Sequence, residues 1–280
     1  MNQVHPTAVV DPSVRLGGDV RVGPFAVIEE GVEMGPRCVV GAHSVVKART
    51  VMGSENEVAE GAVLGGPPQH VRAGRHYGRL LIGNGNVIRE HVTIHAALNP
   101  GSTTVIGDRN YFMAASHVAH DSVIGHHVIL ANNVMLAGHV VVEDHAYVAG
   151  AAGAHQFCRI GAHAMVGGQA HLKADVPPYV LVDGNTTLAV GINHVGLRRS
   201  GLSAEQIASI KSAYRIVYDN RWSWEEKLAM LEQSFTDGPA SRMADFLRGC
   251  QRGIVRPRKS VRSRSLRVVR EESGELRKAS

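Results

Sequence analysis

An aliphatic residue returns at every sixth position through most of this chain. The series opens with Val10, Leu16, Val22, Ile28, Met34, Val40, Val46, Met52, Val58 and Leu64. It breaks in the Gly/Pro-rich stretch 66–79, resumes at Ile82, Ile88 and Ile94, and breaks again over 96–104. From Ile106 it runs without a miss through Phe112, Val118, Ile124, Leu130, Leu136, Val142, Val148, Ala154, Ile160 and Val166 to Leu172. No helix has a six-residue period, and a simple strand has a period of two. Short strands that turn a corner every six residues do, and that is the hexapeptide signature of a parallel β-helix. The six-position residues are read as inward aliphatic ladders. Glycine follows many of them, as at Gly17, Gly23, Gly35 and Gly41, and is expected to supply the backbone conformation of the corner.

Three faces make a coil of about 18 residues, and neighbouring coils lie about 4.8 Å apart. His120, His139 and His155 are separated by 19 and 16 residues, so they fall near one edge on successive levels. His127, His145 and His163 are separated by 18 and stack as a second ladder, read as solvated surface. The two interruptions are read as loops thrown out of a rigid scaffold, a common place for binding residues. The first loop carries Gln69, His70 and Arg72.

The ladder accounts for residues 1–190 as one solenoid domain. After Leu172 the period fades, and the pattern becomes helical from Leu202. Ser203-Ala204-Glu205-Gln206 and Ser223-Trp224-Glu225-Glu226 read as capping boxes ahead of apolar residues at helical spacing. A third helix is expected from Pro239. Residues 191–255 therefore form a helical domain able to cap the open end of the solenoid. From Arg256 to Ser280 there are nine Lys/Arg against three Glu, a net of +6. The whole chain carries +5, so the remainder sums to −1. The basic character belongs to a tail, 256–280, expected to be disordered, and gives the main domain no reason to bind nucleic acid.

Aromatic residues are scarce at 5%, which suits a thin regular structure. No apolar run approaches a membrane span. The first residues lack the charged start and apolar stretch of a signal peptide. Three widely spaced cysteines, Cys38, Cys158 and Cys250, form no metal pattern and point to reduced thiols in the cytoplasm.

The chemistry concentrates in Ser116-His117-Val118-Ala119-His120-Asp121. A neutral imidazole accepts a proton near pH 7. An adjacent carboxylate fixes its tautomer and stabilises the imidazolium that forms. A metal-dependent β-helix with three His ligands is the rival from another class, with His91, His95, His117 and His120 as candidates.

Several segments together resemble the acyl-[acyl carrier protein]–UDP-N-acetylglucosamine O-acyltransferases. They are His117–Asp121, Leu130-Ala131-Asn132-Asn133, Leu136-Ala137-Gly138-His139-Val140, His155-Gln156-Phe157, Met165-Val166-Gly167-Gly168 and Asp175-Val176-Pro177-Pro178-Tyr179. The likeness covers residues 4–255. It implies a left-handed β-helix, a homotrimer with active sites at subunit interfaces, and the first step of lipid A synthesis. In that step a fatty acyl group, expected to be 3-hydroxylated, passes from acyl carrier protein to the 3-hydroxyl of UDP-N-acetylglucosamine. His120 resembles the general base, Asp121 its supporting carboxylate, and Gly138 the residue whose N–H steadies the oxyanion. His117, His139, His155 and Gln156 match positions around sugar and thioester. Asn193 and Arg199 match nucleotide contacts, and Gly168 the position that limits acyl length. Gln69 and Arg72 belong to the loop that meets the sugar. The resemblance implies no metal and no organic cofactor.

The chain departs from the pattern in places. Where the family's loop usually reads Gln-Asp-Leu-Lys, this chain has Gln69-His70-Val71-Arg72. A nucleotide-contacting Glu is Val195 here, and one of two consecutive Arg is Ser200. These changes leave open a second acceptor, an amino-sugar nucleotide acylated on nitrogen by the same base.

Overall fold

The computed structural model describes residues 1–258. Among these, short strands form three sheets of eleven, nine and eight strands. The first sheet begins with Gln3–Val4, the second with Val9–Val10 and the third with Arg15–Leu16. The chain visits them in that order, again and again, as a left-handed parallel β-helix closed by C-terminal helices. Along the regular coils the pairing is parallel with a step of 18, as between Arg21 and Val39. The two loops enlarge that step to 30 between Glu57 and Val87 and to 24 between Thr93 and His117. Twelve and six extra residues are both multiples of six, so the ladder resumes in phase after each loop.

From Val22 onward the ladder residues are buried and fill the interior, with a second buried series two positions earlier; Val10 and Leu16 in the first coil are only partly covered. That series turns polar over Asn56, Asn86 and Asn110. The Asn56 Oδ1 accepts the Asn86 N–H at 2.9 Å, and Asn86 Oδ1 accepts the Asn110 N–H at 2.9 Å. An internal amide ladder thus satisfies backbone donors at one corner, where an unpaired buried donor would be costly.

Gly17, Gly23, Gly35 and Gly41, each directly after a ladder residue, do not hold the left-handed conformation, whereas Gly65 after Leu64 does, with φ 76°. A Cβ on Gly17 would lie 2.5 Å from the Pro36 backbone nitrogen, and one on Gly35 would lie 2.6 Å from the Gly53 carbonyl carbon. Glycine is needed there because successive coils approach closely. The left-handed corner falls two residues later, usually on a non-glycine residue: Arg37, His43, Asp121, His127, His139, His145 and His163 all have φ between 55° and 60°. The N–H of each of these corners is held by the coil before it, as in Arg37 to Gly18 O at 2.8 Å and His145 to His126 O at 2.9 Å. That recurring bond offsets the cost of roughly 1–2 kcal/mol for an L-residue in this region.

Beyond the last coils, Val180–Val182 pairs antiparallel with Ala189–Ile192. Four helices follow among the described residues: α1 (His194–Arg199), α2 (Ala204–Val217), α3 (Trp224–Ser234) and α4 (Gly238–Arg248). Ser203 and Ser223 form full capping boxes with Gln206 and Glu226. Helix α1 lies upstream of the expected helical start. Asn193 caps it by accepting the Gly196 N–H at 3.0 Å. Arg159 fastens the solenoid to α4, with its guanidinium 4.2 Å from the Phe246 ring centre and a 3.1 Å bond to Phe246 O.

The expected tail start at Arg256 is corrected. The Ala189 N–H donates to Arg256 O and the Arg258 N–H to Ala189 O, each at 2.8 Å, and Arg258 is paired with Asp183. These residues lie beside the antiparallel strand because its outer edge offers free backbone partners. The rest of the expected tail, 259–280, lies outside the described residues. Among the described residues no helix is long and apolar enough to cross a membrane.

Candidate active site

The corner between the second and third sheets gathers the reactive side chains. His120 lies two positions past ladder residue Val118, and Asp121 occupies the left-handed corner. The two rings nearest His120 approach it edge-on: His139 from the next coil at 5.2 Å between centres, and His70 from the first loop at 5.7 Å. These neighbours bury His120, leaving it 5% exposed. The spacing by itself places His120 on an outer edge of the coil, where a side chain would be open to solvent. A loop folded back over that edge is the difference, and the six-residue period carries no information about where a loop returns.

His120 Nδ1 lies 2.8 Å from Asp121 Oδ2. That carboxylate oxygen also accepts the Leu98 N–H at 3.0 Å, and the Asp121 N–H donates to Thr104 Oγ1 at 2.8 Å. His139 Nε2 is 3.9 Å away. Burial pushes the Asp121 carboxyl up. The Leu98 N–H, the His120 ring, the Ser102 hydroxyl and the nearby His139 outweigh it, and the net displacement is downward. An ionised Asp121 accepts a proton-bearing Nδ1, which leaves His120 Nε2 as the basic nitrogen.

Gly138 lies against this ring. A Cβ there would fall 2.7 Å from His120 Nε2 and 2.5 Å from Cε1, so only glycine leaves the imidazole in place. At the equivalent position of other coils the N–H is held by a side chain, as Asn84 by Asp108 Oδ1 and His126 by Asp144 Oδ1. Among the described residues the Gly138 N–H has no such acceptor. A basic nitrogen and a free backbone donor thus sit side by side.

His117 points outward one strand away, its Nδ1 2.7 Å from Thr93 Oγ1. His95 packs edge-on against it, 5.0 Å between centres, with its own Nδ1 buried and unpartnered. Burial, then the neighbouring His117 and His120, depress His95 to about 4. Burial and His120 also lower His117. Both rings are therefore neutral at pH 7.

A groove of about 590 Å³ runs up the second sheet from His117. Its lining is mostly apolar, including Met135, Leu136, Ala137 and Gly153, and Gln69, His155 and Lys173 stand on its rim. His155 and Gln156 are exposed one coil beyond His139. Phe157 stacks on His139 at 4.6 Å, a contact the sequence reading missed. The signal was the 18-residue spacing of the two corners. Nothing in the pattern pointed to the Leu98 amide or to His70 beside the base, since both depend on loop paths.

Other expected site residues lie elsewhere. Arg72 is exposed, and its N–H donates to His70 Nδ1 at 3.1 Å. Asn193 also donates through Nδ2 to His163 O at 3.0 Å, and Arg199 is exposed at the end of α1. Val195 is exposed on α1, and Ser200 Oγ is 3.3 Å from His163 Nδ1. Gly168 is exposed at the corner between the first and second sheets, above Gly150 O, and is not part of the groove lining. The second ladder is not wholly solvated. His163 is half-buried, and burial first, then His145 and Arg242, depress it to about 4. For a metal, the described residues bring together His120, Asp121 and His139, with ligand atoms within 4.8 Å, rather than the set His91, His95, His117 and His120. Two of those three groups already bond each other.

The comparisons with known proteins agree with this architecture. Residues 175–255 match the family described as UDP N-acetylglucosamine O-acyltransferase, domain 2, and residues 13–48 and 103–138 match the bacterial transferase hexapeptide repeat. An acyl-[acyl-carrier-protein]–UDP-N-acetylglucosamine O-acyltransferase of Xanthomonas campestris pv. campestris is 50% identical over 257 residues, 90% of this chain and 97% of the relative. The chain belongs to this acyltransferase family. A relative of the same description from Burkholderia orbicola is 44% identical over 262 residues, 91% of this chain and all of the relative. The crystal structure of the UDP-N-acetylglucosamine O-acyltransferase of Moraxella catarrhalis superposes with a TM-score of 0.87 at 34% identity, covering 90% of this chain and 99% of that one. The Arabidopsis UDP-N-acetylglucosamine acyltransferase gives 0.77 at 35% identity, with 90% and 100% covered. Membership in the family spans the solenoid and the helical cap together.

Proposed function

We propose that this acyltransferase moves a 3-hydroxy fatty acyl group from acyl carrier protein to the 3-hydroxyl of UDP-N-acetylglucosamine, with His120 as general base. The observation that carries the mechanism is the juxtaposition of His120, held by Asp121, with the unengaged N–H of Gly138. The sugar hydroxyl gives its proton to His120 Nε2 as its oxygen bonds to the thioester carbonyl carbon. The negative charge that develops on the carbonyl oxygen is stabilised by the Gly138 N–H. Collapse breaks the carbon–sulfur bond, and the imidazolium returns its proton to the departing thiolate. Asp121 stabilises the imidazolium in between. His117, His139, His155, Gln156 and Gln69 border the acceptor and donor, and Gly168 sets the acyl length from a neighbouring wall. No metal and no organic cofactor takes part, and the reaction belongs to the cytoplasm, the first step of lipid A synthesis.

Asn193 and Arg199 belong to the cap end of the chain, outside the His120 cluster. A homotrimer with its active sites between subunits accounts for this, because α1 of one subunit then serves the groove of the next. Arg199 suits a pyrophosphate. Purified enzyme, with and without prior chelator treatment, is offered acyl carrier protein thioesters together with UDP-N-acetylglucosamine or its 3-amino analogue. Fragmentation spectra of the product show whether oxygen or nitrogen carries the acyl group. An ester on the 3-oxygen, formed equally after chelation, supports the proposal; an amide alone, or loss of activity restored by zinc, overturns it. Mixing inactive His120→Ala and Arg199→Ala chains tests the shared site, since hybrid trimers are expected to regain activity.

A further inference from the structure

Asp121 stands at a corner that is not built like those after it. At the later corners the left-handed residue donates its N–H to the carbonyl nineteen positions back: His127 to Asp108 O, His139 to His120 O, His145 to His126 O and Phe157 to Gly138 O, at 2.9–3.2 Å. Nineteen positions before Asp121 stands Ser102, in the second loop. Its carbonyl is engaged elsewhere and accepts the Arg79 N–H at 3.2 Å. The Asp121 N–H donates instead to the Thr104 hydroxyl, at 2.8 Å. Thr104 is fully buried, and its strand is held on both sides, Leu80 pairing with Thr104 and Val105 with Val123. The hydroxyl is therefore presented from a fixed backbone to a residue at φ 59°.

We infer that Thr104 is a positioning residue for the acyl transfer: its hydroxyl holds the Asp121 corner left-handed and thereby aims the carboxylate at His120. The inference rests on His120 as general base and deepens that reading. Asp121 Oδ2 meets His120 Nδ1 at 2.8 Å and the Leu98 N–H at 3.0 Å, so one oxygen serves both. A side chain this short cannot keep both contacts when its backbone turns. Without the hydroxyl the Asp121 N–H has lost its partner, and the left-handed conformation, unfavourable for an L-residue, has lost the bond that offsets it. The corner then relaxes and carries the carboxylate off Nδ1. His120 loses both the fixed tautomer that leaves Nε2 basic and the partner of its imidazolium. The loop that engages the Ser102 carbonyl elsewhere also brings the Leu98 amide to Asp121. One backbone bond is thus replaced by two contacts that bear on the carboxylate.

The test compares Thr104→Val, which removes the hydroxyl at nearly constant volume, with Thr104→Ser, which keeps it. Transfer from acyl carrier protein to UDP-N-acetylglucosamine is followed as a function of pH. For Thr104→Val, kcat is expected to fall about 10- to 10²-fold, the upper figure being that of a roughly 1 Å misplacement. KM for both substrates stays within about twofold, since the contact bears on the reacting group and not on binding. The acid limb of kcat/KM moves to lower pH, because the imidazolium has lost its carboxylate. The titratable rings and carboxylate facing His120 are Asp121, His139 and His70, with His117 and His95 one strand away. A threonine hydroxyl does not titrate, so movement of the limb passes through Asp121. Thr104→Ser restores both kcat and the limb. In an Asp121→Asn background Thr104→Val adds no further loss, the non-additivity of residues that act as a unit. A valine variant that is merely less stable, with kcat and limb unchanged, overturns the inference, as does full additivity with Asp121→Asn. Thr104→Cys, with a weak acceptor, supplies the same readings where the valine chain does not fold. His120→Ala is measured alongside. Near-normal turnover there brings down the general-base reading; a strong loss there beside an unchanged Thr104→Val brings down this inference alone.

Discussion

At the corner between the third and first sheets, His127, His145 and His163 stack face to face, with centres 4.8 and 4.6 Å apart and planes within 9°. The pile ends on Tyr179, whose hydroxyl donates to Pro239 O of the cap at 2.8 Å. At the corner between the second and third sheets, His120 meets His70 and His139 at 87° and 89°. The difference follows from position within the repeat. Residues 18 apart occupy identical corners, and the coil spacing of about 4.8 Å equals the distance of stacked rings. His120 stands one residue before its corner, and His70 comes from an insertion. Neither can join a regular stack, so each presents an edge. The stacked pile has no carboxylate bonded to a ring nitrogen, whereas the edge-on cluster closes on Asp121 and leaves a basic nitrogen beside Gly138.

The largest expected effect comes from breaking the edge-on cluster at its centre. His120→Ala should lower kcat about 10²–10⁴-fold, the range for loss of a general base. Because the ring is buried, the variant should also lose some stability, which thermal unfolding measures. Near-normal turnover in a folded variant would remove His120 from its role. Next is Gly138→Ala, which keeps every functional side chain but drives the imidazole from its place. A displacement of that order should cost about 10²-fold in kcat. A smaller loss would show that the ring relaxes around the added methyl and that its placement tolerates error.

A third change tests the corner between the first and second sheets. Gly168→Met should shift preference toward shorter acyl chains by roughly 5- to 150-fold, from an overpacking cost of about 1–3 kcal/mol. Competition between long and short thioesters reads it, and an unchanged preference in an active enzyme would take Gly168 out of the acyl path. The smallest effect belongs to the stacked pile. His163→Phe should keep the stack and leave turnover within about twofold, while reducing sensitivity to acid. The sign follows from the depressed value of about 4 in the fold. An unfolded histidine titrates near 6.5, so between about pH 4 and 6.5 the unfolded chain binds the extra proton and the fold weakens as pH falls. After solvent screening this amounts to about 1 kcal/mol, seen as a smaller drop in urea midpoint between pH 7.5 and 5.0 for the variant. An identical drop in both proteins would show that His163 is not the acid-sensitive group.

The architecture was legible because it is written as a period. Each of the aliphatic residues from Val22 to Leu172 repeats the same local instruction, and the interior accepts only that kind of side chain. Loops of twelve and six extra residues left the phase intact, so even the interruptions could be read. The adjacency of His120 and Asp121 and the 19-residue step to His139 were likewise visible, since neighbours in sequence or one coil apart are neighbours in space. Three things were decided only in three dimensions. The left-handed corners fell on Arg, His and Asp rather than on the conspicuous glycines, because bonds between coils, not residue preference, set that conformation. The first loop folded back to lay His70 on His120 and bury it, and the second brought the Leu98 amide to Asp121. Residues 256–258 found an edge of Ala189–Ile192 to pair with. In each case the deciding contact joins segments whose separation is set by a loop or a chain end, where no repeat carries the register forward.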